Sequence, residues 1–409
     1  MEAVTLERIE RARESLRDLV RLSPATRSPE LSRRSGRNVW LKLENLQVTG
    51  SFKERGAAIK LLSLSPEDRA RGVVAASAGN HAQGVAYHAT RLGIPATIVM
   101  PDRTPLIKVQ NTRNYGARVI LHGVGYDDAY EEAKRLEQAE GLVFVHPFDD
   151  DDVICGQGTV GLEILEQVPE VDTIVVAVGG GGLIAGISVA VKAMRPEVRI
   201  VGVEMAQLDS MRQALGRGAP VLLPPAETLS EGIAVRRVGQ RPFDAARNRI
   251  DEMVAVDDEE VAEAILLLLE REKTVAEGAG AAPVAALLQN RISSLGEHVV
   301  VLVCGGNIDV NLVSRIIERG LVKSGRLVRL SVNVPDVFGA LARLTALLAE
   351  ERANIVQIHH ERAFMPVAVA TPASKPTAMV TVELVLETRG FEHAGSLRER
   401  LVAAGYEVR

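Results

Sequence analysis

The amino-acid sequence predicts an α/β protein with a separate, smaller module in its last part. Three features of the 409-residue chain support this prediction. From about residue 38 to residue 310, short apolar segments alternate with longer segments of helical periodicity. The apolar segments are continuous rather than alternating, as expected for parallel strands that are buried on both faces. After Lys323-Ser324-Gly325 the order of the elements changes, so we expect a second domain over residues 325–409.

The strands of the first domain, residues 1–324, are predicted from runs rich in valine and isoleucine. Helical patterns follow these runs, for example at residues 127–141 and 258–273. A chain that alternates in this way forms parallel sheets covered by helices. The predicted strands are VVAAS (73–77), ATIVMP (96–101), ARVILHG (117–123), DTIVVAVG (172–179), RIVGVE (199–204) and HVVVLVCGG (298–306).

The second domain has the predicted element order βαββαβ, which is typical of ferredoxin-like modules. A loop containing proline, alanine and valine, residues 365–377, is predicted between two of its strands. The strands are predicted in RLVRLSVNVPD, ANIVQIHHERAF, TAMVTVELVLETR and YEVR, and the helices in FGALARLTALLAEE and HAGSLRERLVAAG.

The composition argues against several classes of function. With 46% hydrophobic and 25% charged residues, the chain resembles a soluble globular enzyme. A net charge of −5 gives no reason to expect a nucleic acid or an acidic membrane as partner. Residues 174–191 form the longest uncharged run, but its four consecutive glycines would leave backbone groups unsatisfied in lipid. The two cysteines provide no disulfide framework, so we expect a cytoplasmic protein.

Four segments place glycine and polar residues at predicted strand ends or at a predicted helix start. In open α/β sheets, the carboxyl ends of the strands are where ligands bind. These segments are therefore the candidates for a functional site. They are GSFK (50–53), SAGNH (77–81), GGGGL (179–183) and CGGN (304–307).

The run of four glycines between a predicted strand and a predicted helix indicates an anion site. Glycines allow successive backbone N–H groups to converge on one anion, and the N-terminus of the next helix assists them. The run lacks the Gly-Lys-Ser/Thr of a Walker loop and the spacing of GxGxxG. We therefore expect it to bind a phosphate, but not a nucleoside triphosphate. Tight packing between strand and helix is the alternative explanation.

Lys53 is a candidate nucleophile because the same chain also contains a predicted phosphate site. A phosphate cradle together with a separate lysine suggests pyridoxal phosphate, since a lysine amine forms a Schiff base with a carbonyl. A surrounding of low dielectric would help to keep the amine neutral. A lysine considered alone would be interpreted as a solvated surface charge, but the other three segments favour the nucleophile.

Together these motifs resemble those of the fold-type II pyridoxal-phosphate enzymes and, within them, the threonine ammonia-lyases. The resemblance implies two three-layer α/β/α subdomains with a cleft between them, the smaller one formed by roughly residues 48–146. Residues 325–409 resemble an ACT domain, on the segment PDVFGALARLTALLAEERANI. The motifs that follow one another in the family's order are GSFKERGA, SAGNHAQGVA, MPDRTPLIKVQNTRNYGA, GGGGLIAGI, EGIAV and CGGN.

The resemblance also implies a role for each motif residue. Lys53, next to Phe52, would hold pyridoxal phosphate and then act as the general base that takes the α-proton of the substrate. Asn80 would bind the 3′ hydroxyl of the cofactor, and Cys304 would face its pyridine nitrogen, where a thiol does not support a protonated ring. The phosphate would be bound by Gly179, Gly180, Gly181, Gly182 and Leu183. The substrate carboxylate would be bound by the loop of Ser77, Ala78, Gly79, Asn80 and His81.

The implied reaction is β-elimination of L-threonine to 2-oxobutanoate and ammonia. L-Serine would also react, because pockets discriminate poorly against a difference of one methyl group. A broad catabolic serine/threonine deaminase is therefore an alternative. A serine racemase is disfavoured because Ala78 stands where such racemases carry a serine as second base. A non-catalytic amino-acid-sensing protein is disfavoured by the intact motif residues.

Three further side chains are candidates near the site, one of them by the same resemblance. Glu204 matches a cation ligand of the racemases, but Ser210 stands at the position of their aspartate, so no metal is predicted and Glu204 is a weak candidate. His81 is expected either to position its loop or to take part in the chemistry. Glu277 is expected to support the cofactor ring.

The ACT-like domain implies a small-molecule effector. By resemblance the effector would be isoleucine or valine, bound near residues 335–340 and Asn354. A plain dimerisation module is the alternative. We expect a homodimer or a homotetramer.

Overall fold

A computed structural model of the protein describes residues 3–360 and 379–409. The described residues form two compact units that divide between Asp309 and Val310. The predicted loop at residues 365–377 lies outside the described residues. Among the described helices, none combines the length and the apolar character needed to cross a membrane.

The division between the units differs from the one placed after residue 324 in the sequence. The helix over residues 310–323 follows a strand in the alternating pattern, so its sequence alone assigns it to the first domain. In the structure this helix groups with the second unit. Which body a helix packs against depends on tertiary contacts, and the local sequence pattern does not contain them.

The first unit consists of two sheets and the helices that cover them. Its strands are β1 (Ala25–Arg27), β2 (Asn38–Leu43), β3 (Val73–Ala76), β4 (Ala96–Met100), β5 (Arg118–Leu121), β6 (Val143–Phe144), β7 (Thr173–Ala177), β8 (Arg199–Met205), β9 (Glu252–Val256) and β10 (His298–Val303). Its helices are α1 (Leu6–Leu16), α2 (Pro29–Ser35), α3 (Lys53–Leu62), α4 (Pro66–Arg71), α5 (Asn80–Arg91), α6 (Leu106–Asn114), α7 (Tyr126–Glu140), α8 (Asp151–Gln167), α9 (Gly182–Met194), α10 (Ser210–Arg217), α11 (Gln240–Ala246), α12 (Asp258–Glu270) and α13 (Gly278–Leu288).

The larger sheet has the strand order β1-β2-β10-β7-β8-β9. Its neighbouring strands pair in parallel, except that β1 runs antiparallel to β2 at one edge. The predicted parallel α/β arrangement is confirmed for this sheet. The sequence analysis missed β1, β2 and β9. The run of β2 is interrupted by Lys42, whose amine is nevertheless fully buried against Glu163.

The smaller sheet lies within residues 73–144 and has the order β5-β4-β3-β6, with all neighbours parallel. Val73 and Ala75 pack into a core that includes residues of α3 and α5. Val74 and Ala76 pack into a second core on the opposite face, against α7. Both faces of β3 are therefore buried, which explains its continuous apolar run. The two-residue strand β6 was too short to be predicted.

The second unit begins with a helix and continues with the predicted order βαββαβ. Its sheet has the order β12-β13-β11-β14 and is antiparallel throughout, with the first and third strands of the module in the centre. This is the strand arrangement of ferredoxin-like modules. The elements are α14 (Val310–Lys323), β11 (Leu327–Pro335), α15 (Ala340–Glu350), β12 (Asn354–His360), β13 (Met379–Glu387), α16 (Phe391–Ala403) and β14 (Glu407–Val408).

Candidate active site

Lys53 is the first residue of α3, and the backbone before it is held against the loop that follows β10. Ser51 pairs with Gly305 in an isolated antiparallel bridge. The Phe52 N–H donates to the Cys304 carbonyl over 3.1 Å. The segment 50–53 and the segment 304–307 are therefore neighbours, although 250 or so residues separate them in the chain. Parallel pairing of β10 with β2 brings them to the same edge of the sheet.

The amine of Lys53 lies in a partly buried position. Its Nζ donates to the carbonyl of Pro147 over 2.8 Å and lies 5.3 Å from the centre of the Phe52 ring. Burial lowers the pKa of Lys53 to about 8, against the opposing charges of Cys304 and Glu277. An amine with this pKa has a substantial neutral fraction near neutral pH, which is what a nucleophile or a general base requires.

The glycine loop connects β7 to α9 and approaches Lys53 through one intermediate segment. A Cβ on Gly180 would overlap the ring of Phe148, the residue that follows Pro147. Gly181 has a φ of +91°, a conformation that side chains other than glycine rarely adopt. The loop thus needs glycine on both steric and conformational grounds. It presents the N-terminus of α9, where backbone N–H groups have no partner within the helix and attract an anion.

Asn80 is the first residue of α5, at the carboxyl end of β3. Its Nδ2 donates to Oε1 of Glu277 over 2.6 Å, and its Oδ1 accepts from Nδ2 of Asn307 over 2.7 Å. Glu277 precedes α13, and its backbone N–H donates to the carbonyl of Gly305 over 3.1 Å. Burial raises the pKa of Glu277 to about 7, while the bond from Asn80 opposes this shift. Asn80 and Glu277 are therefore both hydrogen-bonded to the loop that contains Cys304.

Cys304 is buried and 2% exposed. Burial raises the pKa of its thiol well above the usual range, and the charge of Glu277 acts in the same direction. The side chain is therefore a neutral thiol at physiological pH. It can contact a ring nitrogen but does not supply the negative charge that would hold a proton there.

The loop that contains Ser77, Ala78 and Gly79 is held by its own groups and by His81. The Gly79 N–H donates to Oγ of Ser77 over 3.2 Å, and Nε2 of His81 lies 2.9 Å from the carbonyl of Val145. Burial, with the charge of Lys53, lowers the pKa of His81 to about 3. The imidazole is neutral, and Nε2 carries its proton because a carbonyl only accepts. Of the two roles expected for His81, the contacts favour positioning of the loop.

These residues fit pyridoxal phosphate. The site combines an amine of lowered pKa, a glycine loop at a helix N-terminus, a neutral thiol and a fixed amide. Two buried polar atoms of the same segments, Oγ of Ser51 and Nδ1 of His81, have no hydrogen-bond partner among the described residues. Buried polar atoms of this kind call for a partner. A small polar cofactor within reach of these segments would supply one.

Glu204 lies at the end of β8 and is fully buried. Its two carboxylate oxygens accept from the backbone N–H groups of Met211 and Arg212, over 2.7 and 3.0 Å. Burial raises its pKa to about 8. Glu204 thus caps the start of α10, and the part of the chain that the structure describes contains no group of three potential metal-binding side chains. Its contacts favour a structural role over that of a cation ligand.

The sequence analysis did not identify Pro147 and Phe148 as parts of the site, and it assigned no role to Asn307 within the segment CGGN. Pro147 contributes a backbone carbonyl, and no residue pattern reveals a carbonyl contact. Phe148 fills the space beside the glycine loop, so its role depends on packing. Asn307 was within reach, because it belongs to the CGGN segment. Residues 147–148 follow β6, and a position just after a parallel strand is where site residues are expected. This indication was not available because β6 itself was not predicted.

Comparisons with known proteins show the family to which the chain belongs. A family model described as "Pyridoxal-phosphate dependent enzyme" matches residues 16–305. An L-threonine ammonia-lyase of Thermotoga maritima is 50% identical over 406 residues, which cover 99% of each chain. The structure of maize serine racemase superposes with a TM-score of 0.74 and 34% identity, covering 79% of this chain and 99% of that one. The structure of the processed form of threonine deaminase isoform 2 from Solanum lycopersicum superposes with a TM-score of 0.73 and 37% identity. This match covers 76% of this chain and 86% of that one.

Proposed function

The chain belongs to the pyridoxal-phosphate-dependent enzymes, and from this premise we propose that it converts L-threonine to 2-oxobutanoate and ammonia. The observation that carries the proposal is the position of Lys53. Its amine has a lowered pKa and donates to the carbonyl of Pro147, which precedes the Phe148 ring beside the glycine loop. The backbone directly before Lys53 is hydrogen-bonded to Cys304. The activity is that of the Thermotoga maritima relative, with which this chain aligns over almost its whole length.

Pyridoxal phosphate, when bound, supplies an electrophilic carbonyl and a ring that acidifies the α-carbon of an amino acid. Lys53 would hold this group and would take the α-proton of the substrate as general base. The desolvation of its amine serves both tasks, because only the neutral form attacks a carbonyl or accepts a proton. Gly179 to Gly182 and Leu183 would bind the phosphate through backbone N–H groups.

The remaining residues orient the reactants. Asn80 would donate to the phenolic oxygen of the cofactor, and Ser77, Ala78, Gly79 and His81 would bind the substrate carboxylate with the backbone and hydroxyl of their loop. Cys304 would face the ring nitrogen as a neutral thiol, which would not hold a proton there, and the ring would then be a weaker electron acceptor. A weaker acceptor favours rapid loss of the β-hydroxyl over reactions that need a long-lived carbanion. The product then leaves as 2-oxobutanoate and ammonia.

Racemisation is the second function to consider, because the maize structure is a serine racemase. A racemase needs a proton donor on the face of the substrate opposite the lysine. Ala78 stands at that position and packs against the core of the smaller sheet. Its methyl group cannot transfer a proton, so elimination is favoured.

The test is the release of 2-oxobutanoate from L-threonine by the purified, cofactor-loaded protein. Pyruvate release from L-serine and formation of D-serine are measured in parallel. We expect both keto acids and no D-serine. The preference for L-threonine over L-serine should be weak, because pockets discriminate poorly against a difference of one methyl group. Lys53→Ala is expected to abolish release while the fold persists in circular dichroism. A loaded wild-type protein that releases no keto acid would contradict the proposal.

We propose further that the second unit is an ACT-like regulatory module that binds isoleucine or valine. The support is its βαββαβ order and its sheet order, with the turn between β11 and α15 at residues 335–340. Gly339 has a φ of +77° in this turn, and Phe338 next to it is fully exposed. Asn354, at the start of β12, donates to Glu387 over 2.9 Å. An effector near this turn would act on the first unit through a change of state of an oligomer.

Threonine turnover with and without isoleucine or valine tests this second proposal. Suppression by isoleucine together with direct binding in calorimetry would support a feedback-regulated enzyme. Binding without any effect on turnover would contradict regulation. Absence of binding, with a dimer in analytical ultracentrifugation, would favour the plain dimerisation module or the broad catabolic deaminase.

A further inference from the structure

A hydrogen-bonded chain that contains two side-chain amides crosses the site and connects four of its segments. It begins at the carbonyl of Thr49, four residues before Lys53, which accepts from Nδ2 of Asn307 over 2.7 Å. The same Nδ2 donates to Oδ1 of Asn80 over 2.7 Å, and Nδ2 of Asn80 donates to Glu277 over 2.6 Å. The chain thus runs from the approach to α3, through the loop after β10, to the start of α5 and the start of α13.

The direction of this chain is determined by its first member. A backbone carbonyl can only accept, so the end of the Asn307 amide that faces Thr49 must be the NH₂ group. Because this NH₂ group also faces Asn80, the Asn80 side chain must present its oxygen there. Its own NH₂ group is then directed to Glu277. A wrong orientation of either amide would place two acceptors or two donors against each other, which is costly in a partly buried site.

Two glycines provide the space for the chain. A Cβ on Gly50 would lie 2.6 Å from Oδ1 of Asn307, and Gly50 has a φ of +76°. A Cβ on Gly305 would overlap Oε1 of Glu277 and lie 3.1 Å from Nδ2 of Asn80. A side chain at Gly50 or Gly305 would therefore crowd the amide chain. This gives both glycines a role besides backbone flexibility.

We infer that Asn307 is a positioning residue that fixes the polarity of the Asn80 amide, so that an N–H of Asn80 rather than its carbonyl is offered to the phenolic oxygen of the cofactor. The inference deepens the proposed function and rests on it. Nδ2 of Asn80 carries two protons, of which Glu277 takes one, and the other remains for the cofactor. Asn307 acts only through Asn80, and we assign it no contact with substrate.

The test compares a substitution that changes the polarity of the side chain but not its volume with one that removes both the amide and its volume. Asn307→Asp keeps the shape but replaces the NH₂ donor by an acceptor, so Asn80 must rotate its amide and offer its carbonyl to the cofactor. Asn307→Ala removes the donor and leaves Asn80 free to keep its orientation. We expect the affinity for pyridoxal phosphate to fall about tenfold or more in Asn307→Asp and less in Asn307→Ala. The absorption maximum of the bound cofactor should shift in Asn307→Asp.

Asn290→Asp is the matched control, because it makes the same chemical change at an exposed residue after α13. Its φ of +51° is one that aspartate tolerates as asparagine does. The control should keep the affinity and the absorption spectrum of the wild type. Equal folding of all variants is checked by thermal unfolding. If Asn307→Asp does not fold, Asn307→Ala is judged alone: a loss of affinity below about tenfold with the wild-type spectrum agrees with the inference, and a larger loss or a shifted spectrum overturns it.

A merely structural role of Asn307 predicts the opposite order of effects. Loss of volume would then make Asn307→Ala more damaging than the isosteric Asn307→Asp, and this result overturns the inference. A wild-type affinity and spectrum in Asn307→Asp would overturn it as well, while leaving the proposed function intact. A wild-type protein that binds no pyridoxal phosphate would overturn the proposed function together with the inference.

Discussion

The pKa of the Lys53 amine depends on its burial in the folded chain. A solvated lysine titrates near 10.5, and burial at the start of α3 lowers this value to about 8. The position at a helix N-terminus also disfavours a cation, because the unpaired N–H groups there carry partial positive charge. The carbonyl of Pro147 holds the amine without neutralising it. Reactivity is therefore a property of the site and not of the residue type.

The first prediction concerns the rate at which the cofactor-free protein takes up pyridoxal phosphate. Only the neutral amine attacks the carbonyl, so the rate should rise with pH and level off above about pH 8, where Lys53 has lost its proton. The measurement is stopped-flow absorbance over a range of pH. A rate that continues to rise towards pH 10 would show an ordinary lysine. Lys53→Ala should show no covalent incorporation after reduction with borohydride.

At the level of elements, the glycine loop between β7 and α9 is defined by the aromatic ring that packs on it. Phe148 occupies the space beside Gly180 and also contacts Gly182. Packing of this ring leaves no room for a side chain at Gly180. A loop held by such packing would bind an anion at a lower entropic cost.

The second prediction tests this packing with a matched pair of glycine substitutions. Gly180→Ala should lower the affinity for pyridoxal phosphate about tenfold or more, because the new methyl group would displace Phe148 or the loop. Gly216→Ala, in α10, meets no neighbouring atom and should leave the affinity unchanged. It should stabilise the fold by up to about 1 kcal/mol, since alanine favours a helix. Equal affinities in both variants would contradict the prediction.

The third prediction concerns Glu204 and the cap of α10. Its pKa is about 8 in the folded protein and near 4.5 in the unfolded chain, so the folded state binds more protons between these values. The contribution of Glu204 to the free energy of unfolding should therefore decrease as pH rises from about 5 to about 8. Glu204→Gln should remove this decrease. The difference in the free energy of unfolding between the wild type and Glu204→Gln should therefore narrow with rising pH.

Urea unfolding of both proteins at several pH values provides the measurement. Two curves that stay parallel over the whole range would contradict the assigned pKa. Added Mg²⁺ or Ca²⁺ should not raise the melting temperature, because both carboxylate oxygens already accept backbone hydrogen bonds. Stabilisation by a cation that Glu204→Gln abolishes would restore Glu204 as a metal ligand.

For the first unit as a whole, a buried group of four charges joins α3 to the larger sheet. Arg55, in the first turn of α3, forms ion pairs with Glu44 over 2.8 Å and with Glu163 of α8 over 2.6 Å. Glu163 also pairs with Lys42 of β2 over 2.6 Å. The two positive and two negative charges compensate one another, so none is buried alone. The helix that carries Lys53 is thereby fixed to the larger sheet.

The fourth prediction follows from this compensation. Arg55→Met leaves two buried carboxylates with one cation and should reduce the free energy of unfolding by about 3–5 kcal/mol. Arg17→Met, which breaks an exposed pair with Glu14, should cost less than about 1 kcal/mol. Chemical denaturation of the three proteins gives the comparison. A loss in Arg55→Met no larger than in Arg17→Met would show that the buried pairs do not contribute.

The sequence alone predicted the class of the fold and the segments from which the site is proposed to be built. The apolar runs of β3, β4, β7, β8 and β10 are visible because burial on both faces leaves no room for polar residues. The motifs at residues 50–53, 77–81, 179–183 and 304–307 are visible because a Schiff-base lysine and a phosphate cradle need particular residue types. The βαββαβ order of the second unit followed from periodicity in the same way.

The tertiary structure decided the features that depend on contacts between distant segments. The strand β2 was hidden because Lys42 looks solvent-exposed until Glu163 is seen beside it. The carbonyl of Pro147 and the ring of Phe148 joined the site only after folding, since a carbonyl or a packed ring has no pattern of its own. The motif at residues 304–307 contains Asn307, but its hydrogen bonds became visible only in the folded chain. The lowered pKa of Lys53 belongs to this second group. Sequence specifies which groups are present, whereas burial and orientation, which set their chemistry, exist only in the folded chain.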